Sequence, residues 1–141
     1  MLVTPSGNLA IDNNRNNVEL WAKKANLLTQ LDRPDEADEA YEQASLLQPK
    51  NPEFKTKQGD LLEKSGNHEG AIVAYDKALE LEEEDYRVWW KKGQALVGIK
   101  KYFEAEQSYC RAVALNPHSP DSYMIYRRKK QPYFYTKIVL N

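Results

Sequence analysis

The sequence has few of the residues that metal sites, disulfides and covalent catalysis require. It contains one cysteine, Cys110, and two histidines, His68 and His118. A single thiol excludes an internal disulfide framework, and these three residues lack the spacing of metal ligands. No nucleophile and base are grouped along the chain, so we expect a protein that is not an enzyme and that needs no metal and no cofactor.

Long apolar runs and an excess of one charge are also missing. No stretch approaches the roughly 18 apolar residues of a membrane span, and residues 1–17 lack the basic start and apolar centre of a secretory signal. The 141 residues, enough for one domain, carry 20 basic and 21 acidic side chains and a net charge of −1. We therefore expect a cytoplasmic protein whose main partner is neither nucleic acid nor a membrane.

The sequence does contain an internal repeat of 34 residues, over 18–51, 52–85 and 86–119. The aligned columns hold Ala25, Gly59 and Gly93; Ala37, Ala71 and Ala105; Ala44, Ala78 and Ala112; Tyr41, Tyr75 and Tyr109; Leu28, Leu62 and Leu96; and Leu47, Leu81 and Leu115. Small residues let two helix backbones approach closely, while Tyr and Leu fill the space between layers. The pattern therefore predicts one pair of helices in each repeat.

Helix starts follow the same period. Good N-cap residues recur at Asn17, Asn51, Asp85 and Ser119. Short turns with Pro, Gly or charged residues separate the apolar segments. The sequence therefore predicts helices and no strand, with the helices over 18–31, 35–47, 53–64, 68–81, 86–98 and 102–115.

These columns resemble the tetratricopeptide repeat, whose 34-residue pattern is Trp, Leu-Gly, Tyr, then Ala, Phe or Tyr, Ala and Pro. The third repeat matches it best, with Trp89, Gly93, Ala105, Tyr109, Ala112 and Pro117. The second repeat has Lys55 in place of Trp and Glu83 in place of Pro, which we expect to weaken one layer contact and one turn. The resemblance implies an all-α, right-handed α-solenoid of three antiparallel helix pairs. Ser119, Pro120 and Asp121 predict the start of a seventh helix, a polar capping helix over 120–131.

The resemblance also implies a concave groove, lined by the first helix of each repeat, that holds peptides of partner proteins. Some members of the family grip a C-terminal carboxylate with two Lys, two Asn and one Arg. The matching positions here hold Ala22, Asn26, Lys57, Arg87 and Lys91, so the full clamp is absent. The amide and the three cations that remain either converge on a carboxylate or are ordinary solvated helix positions.

Two further residues complete the candidate groove. Trp90 either anchors a bound peptide or packs half-buried against the next repeat, whereas Trp89 belongs to the packing column; Gln94 lies on the same face as Trp90. The predicted peptide-binding residues are Asn26, Lys57, Arg87, Trp90, Lys91 and Gln94. We predict a non-catalytic scaffold that binds a peptide or protein partner, with an acidic or C-terminal carboxylate segment as the favoured ligand.

The ends of the chain do not fit the repeat. Residues 1–17 are expected to be flexible, and 132–141 read as an apolar extended tail that folds back, enters a groove or pairs with another copy as a homo-oligomer. The basic run 127–130 is either a solvated cap or an attachment site for nucleic acid or an anionic membrane. Self-assembly through the tail and attachment through the basic run are therefore the alternative functions.

Overall fold

Six α-helices make up the part of the chain that the structure, a computed structural model, describes, residues 17–120. They are α1 Val18–Gln30, α2 Pro34–Leu47, α3 Pro52–Lys64, α4 His68–Leu81, α5 Tyr86–Gly98 and α6 Tyr102–Leu115. Each helix begins and ends within one residue of its predicted bounds, and residues 17–120 contain no strand. The predicted all-α solenoid is confirmed. The predictions for 1–16, the capping helix beyond residue 120, the basic run and the tail lie outside the described residues.

The first helix of every repeat is capped by a side chain at its N-terminus. Asn17 Oδ1 accepts from two backbone N–H groups at 3.0 and 3.3 Å, and Asn51 and Asp85 each accept one at 3.0 Å. These bonds satisfy donors that a helix start leaves free. Asn67 caps α4 in the same way at 2.9 Å, although its position indicated only a turn.

The first helix of every repeat also ends in the same turn. A residue with positive φ follows each of these helices: Asp32 at 56°, Gly66 at 82° and Lys100 at 62°. In the second repeat, Gly66 N–H donates to the Glu63 carbonyl at 3.0 Å and the next N–H donates to the Leu62 carbonyl at 2.8 Å. This pair of bonds is the Schellman motif, which satisfies the last carbonyls of the helix and reverses the chain.

Small residues in the first helices make room for the tyrosines of the second helices. A Cβ atom at Gly93 would lie 2.6 Å from the Tyr109 ring, and one at Gly59 would overlap the ring of Tyr75. Tyr75 is 1% exposed, and it packs with the alanines and leucines around it in an apolar core between the second and third repeats. The small-residue column therefore sets the distance between paired helices.

The two junctions between repeats differ at one position of the repeat, although each contains an ion pair, Lys55–Glu42 in the first and Lys92–Asp76 in the second. At the second junction, Trp89 packs on the apolar core and its Nε1 donates to the Glu83 carbonyl at 2.7 Å. At the matching position of the first junction, Lys55 Nζ lies 2.6 Å from Glu42, and the Lys55 side chain is 16% exposed. Gln58 donates to the same Glu42 carboxylate at 3.1 Å. The layer contact expected to weaken at Lys55 is replaced by an ion pair.

Candidate functional site

The first helices of the second and third repeats border a cleft of about 380 Å³. It is lined by Pro52, Glu53, Thr56, Lys57, Asp60, Asp85, Arg87, Val88 and Lys91. Three of the six predicted site residues are thus brought together, Lys57, Arg87 and Lys91. Three carboxylates line the same cleft, however, so its cations face charges of the opposite sign within the protein.

Lys91 is already bound to a carboxylate. Its Nζ lies 2.8 and 2.7 Å from the two carboxylate oxygens of Asp60, and each side chain is 35% exposed. The Tyr75 hydroxyl donates to Asp60 Oδ1 at 2.9 Å. Burial and the nearby Asp60 charge raise the pKa of Tyr75, so its hydroxyl keeps the proton that it donates. Asp60 on α3 is therefore held from both α4 and α5.

Arg87 is held less firmly. Its Nε lies 3.3 Å from Asp85 Oδ1, and 73% of its side chain is exposed. The same Asp85 oxygen caps α5 by accepting from the Arg87 backbone N–H at 3.0 Å. Because an exposed ion pair of this length contributes little, the guanidinium can turn toward a ligand at low cost.

Lys57 differs from both. Its side chain is exposed, and within residues 17–120 it forms no ion pair or hydrogen bond. Lys23, at the same position of the first repeat, pairs with Glu19 at 2.7 Å, whereas Glu53, which stands in the place of Glu19 one turn before Lys57, does not pair with it. Among the cations that line the cleft in the described part of the chain, Lys57 is the one without a carboxylate partner.

Asn26 presents a hydrogen-bond donor one repeat earlier. The Tyr41 hydroxyl donates to Asn26 Oδ1 at 2.6 Å, which repeats the Tyr75–Asp60 contact of the next repeat. Burial raises the pKa of Tyr41, so this hydroxyl also stays protonated. The amide NH2 group of Asn26 has no partner within residues 17–120 and is available to donate.

Trp90 and Gln94 lie further along α5. The Trp90 ring is half-buried and contacts Tyr109, with 4.8 Å between ring centroids and 53° between ring planes. Its contact with Tyr109 is made within its own repeat, and peptide anchoring by Trp90 stays a prediction. Gln94 is exposed.

A family model of the tetratricopeptide repeat matches residues 22–81 and 56–120. The chain belongs to the tetratricopeptide repeat family. Human protein O-mannosyl-transferase TMTC3 is 32% identical over 104 residues, which are 72% of this chain and 11% of that protein. Human tetratricopeptide repeat protein 21B is 34% identical over 84 residues, 60% of this chain and 6% of that protein. The chain thus spans a small part of the curated relatives that it matches.

The fold is shared with solved tetratricopeptide domains. The first such domain of Spaghetti (RPAP3), solved with the HSP90 peptide SRMEEVD, has a TM-score of 0.71 and 20% identity. The match covers 82% of this chain and 91% of that one. At 20% identity this similarity shows that the fold is shared and nothing more.

His68 and Cys110 are two of the three residues that the sequence offered as metal ligands or catalytic groups. His68 Nδ1 lies 2.9 Å from Glu63, and Cys110 is half-buried. Within residues 17–120, no three His, Cys, Asp or Glu side chains are grouped as metal ligands, and no helix is long and apolar enough to cross a membrane. That the tetratricopeptide chain is not an enzyme stays a prediction.

Two residues of the tetratricopeptide groove were not predicted from the sequence as site residues. Repeat alignment puts Asp60 on the groove face and Tyr75 in the packing column, but neither is among the predicted ligand contacts. The Asp60–Lys91 ion pair spans 31 residues. The spacing of the two positions across neighbouring first helices is the signal that could have found this pair.

Proposed function

We propose that this protein is a non-catalytic interaction module whose groove binds a partner's peptide through an acidic side chain or a C-terminal carboxylate. The exposed Lys57, which has no carboxylate partner in the described range, is the observation that carries the proposal. Membership in the tetratricopeptide repeat family supports it, as does the acidic peptide SRMEEVD that is bound to the Spaghetti domain of similar fold.

The second junction of the groove supplies a template for this contact. Asn26 and Lys57 occupy the repeat positions that Asp60 and Lys91 occupy 34 residues later. In the later pair a carboxylate joins a buried phenol to a lysine, whereas in the earlier pair a neutral amide takes its place. A ligand carboxylate that accepts from Lys57 Nζ and from the Asn26 amide would supply the missing charge.

The other predicted site residues have supporting roles in this proposal. Arg87 is exposed and loosely held, so it supplies a second cation to an acidic peptide. Trp90 offers part of an aromatic surface, and the exposed Gln94 offers hydrogen bonds to the peptide backbone. Lys91 contributes little, because Asp60 already neutralises it.

Fluorescence anisotropy with fluorescein-labelled SRMEEVD tests the proposal. Loss of one charge-assisted hydrogen bond costs about 1.5–3 kcal/mol, so we expect Lys57→Glu to weaken binding by about tenfold or more. Lys101→Glu is the matched control, since Lys101 is an exposed lysine that lines a different cleft, beside Trp89 and Arg111. Equal affinity of wild type and Lys57→Glu, or no binding by wild type, would contradict the proposal.

The remaining predictions about partners and location rest on other residues. Self-assembly through 132–141 and attachment through 127–130 concern residues outside the described range. A cytoplasmic location also stays a prediction.

A further inference from the structure

We infer that Asp60 is a specificity-determining residue of the groove: its carboxylate fills the anion position beside Lys91 and restricts a ligand carboxylate to the position beside Lys57. The inference rests on the proposed function, because it states which of two equivalent anion positions a peptide uses. Asp60 acts here as a competitor that belongs to the protein itself.

The contacts of Asp60 make it hard to displace. Both carboxylate oxygens lie within 2.8 Å of Lys91 Nζ, and one of them also accepts from the Tyr75 hydroxyl. Tyr75 is buried, so this donor is fixed in place. A ligand carboxylate that reached Lys91 would therefore lie beside a second carboxylate, and two like charges at one ammonium repel each other.

Tethering strengthens this competition. A group on the same chain competes at an effective concentration on the order of millimolar or above. A peptide carboxylate at micromolar concentration cannot match it for contact with Lys91. The ligand is left with Lys57, which forms no ion pair within residues 17–120.

The two positions differ by one functional group. In each, a tyrosine hydroxyl donates to the Oδ1 atom of a residue on the first helix, at 2.6 Å for Asn26 and 2.9 Å for Asp60. Asn and Asp have the same shape and differ in charge. Exchanging them therefore changes the charge of each position while it keeps the acceptor that the tyrosine needs.

A reciprocal pair of variants tests the inference with fluorescein-labelled SRMEEVD as the probe. Asp60→Asn should free Lys91 and raise affinity by about tenfold or more, whereas Asn26→Asp should neutralise Lys57 and lower affinity by a similar factor. The gain from Asp60→Asn should disappear when Lys91→Met is added. Thermal unfolding of each variant checks that the fold persists.

The outcomes separate this inference from the proposed function. If Lys57→Glu weakens binding and Asp60→Asn has no effect, the groove proposal stands and the role of Asp60 is overturned. A gain in Asp60→Asn that survives Lys91→Met also overturns it. If the affinity gain of Asp60→Asn requires Lys91 and Lys57→Glu binds as tightly as wild type, Asp60 competes for Lys91 as inferred, but the role of Lys57 is overturned. Absence of binding in every variant overturns both.

Discussion

The three turns that end the first helices provide a direct test of backbone strain. The same left-handed position is filled by Gly66 in one repeat and by Lys100 in another, with φ of 82° and 62°. A residue with a Cβ atom pays about 1–2 kcal/mol in this region, whereas glycine does not. Lys100→Gly should therefore relieve strain that the third repeat now carries.

The expected gain in the free energy of unfolding is smaller than the backbone strain that Lys100→Gly relieves. Glycine adds freedom to the unfolded chain, which costs about 0.4–1 kcal/mol of stability. The net effect of Lys100→Gly is then a stabilisation of about 0.5–1 kcal/mol, or about 2–6 °C in Tm for a domain of this size. Gly66→Ala should destabilise by a similar amount, and nothing lies within 4 Å of the Cβ it would add, so the backbone alone sets the cost.

Thermal and urea unfolding followed by circular dichroism would measure both variants. Lys100→Ala is the control, because it removes the lysine side chain while it keeps a Cβ atom at positive φ. We expect Lys100→Ala to stay close to wild type and Lys100→Gly to exceed it. Destabilisation by Lys100→Gly, or stabilisation by Gly66→Ala, would refute the reasoning.

Three further predictions concern packing and charge. Gly59→Ala should lower the free energy of unfolding by about 1–3 kcal/mol, because the added methyl group overpacks the Tyr75 ring. The higher helix propensity of Ala offsets up to about 1 kcal/mol of this loss, and a gain in stability on urea unfolding would contradict the prediction. Tyr75→Phe should cost about 1 kcal/mol by removing the donor to Asp60, and an unchanged urea midpoint would argue against that hydrogen bond. The hydrogen bond from Lys55 lowers the pKa of Glu42 in the folded protein. The ionised Glu42 therefore stabilises the fold fully above the ordinary carboxyl pKa, and this contribution is lost as pH falls through the lowered pKa. Wild type should therefore lose more Tm between pH 7 and pH 3 than Glu42→Gln does; parallel curves would rule this out.

The helices were predictable because local chemistry repeats with the period. Asn17, Asn51 and Asp85 mark helix starts by the hydrogen bonds their side chains make to the next residues, whatever the rest of the fold does. The small-residue column was predictable for the same reason, because a larger side chain at Gly59 or Gly93 would overlap the tyrosine ring of the paired helix.

The charge state of the groove was less predictable. Asn26, Lys57, Arg87 and Lys91 could be placed on one face from the repeat alone. Repeat spacing brings Asp60 and Lys91 to neighbouring first helices, but spacing does not encode the side-chain rotamers that decide whether the two groups pair. The sequence therefore suggested three converging cations, whereas Lys91 is neutralised by Asp60.

The Lys55–Glu42 ion pair adds a charged contact to the apolar seam between the first two repeats. Each repeat touches only its neighbours, so the strength of each seam is a local property. Salt screens this ion pair, whose Glu42 end is 44% exposed, and it screens the Lys92–Asp76 pair of the other seam as well, but it weakens the apolar cluster of neither seam. At high ionic strength the amides beside both seams should therefore exchange with solvent faster, while the apolar contacts keep the three repeats stacked.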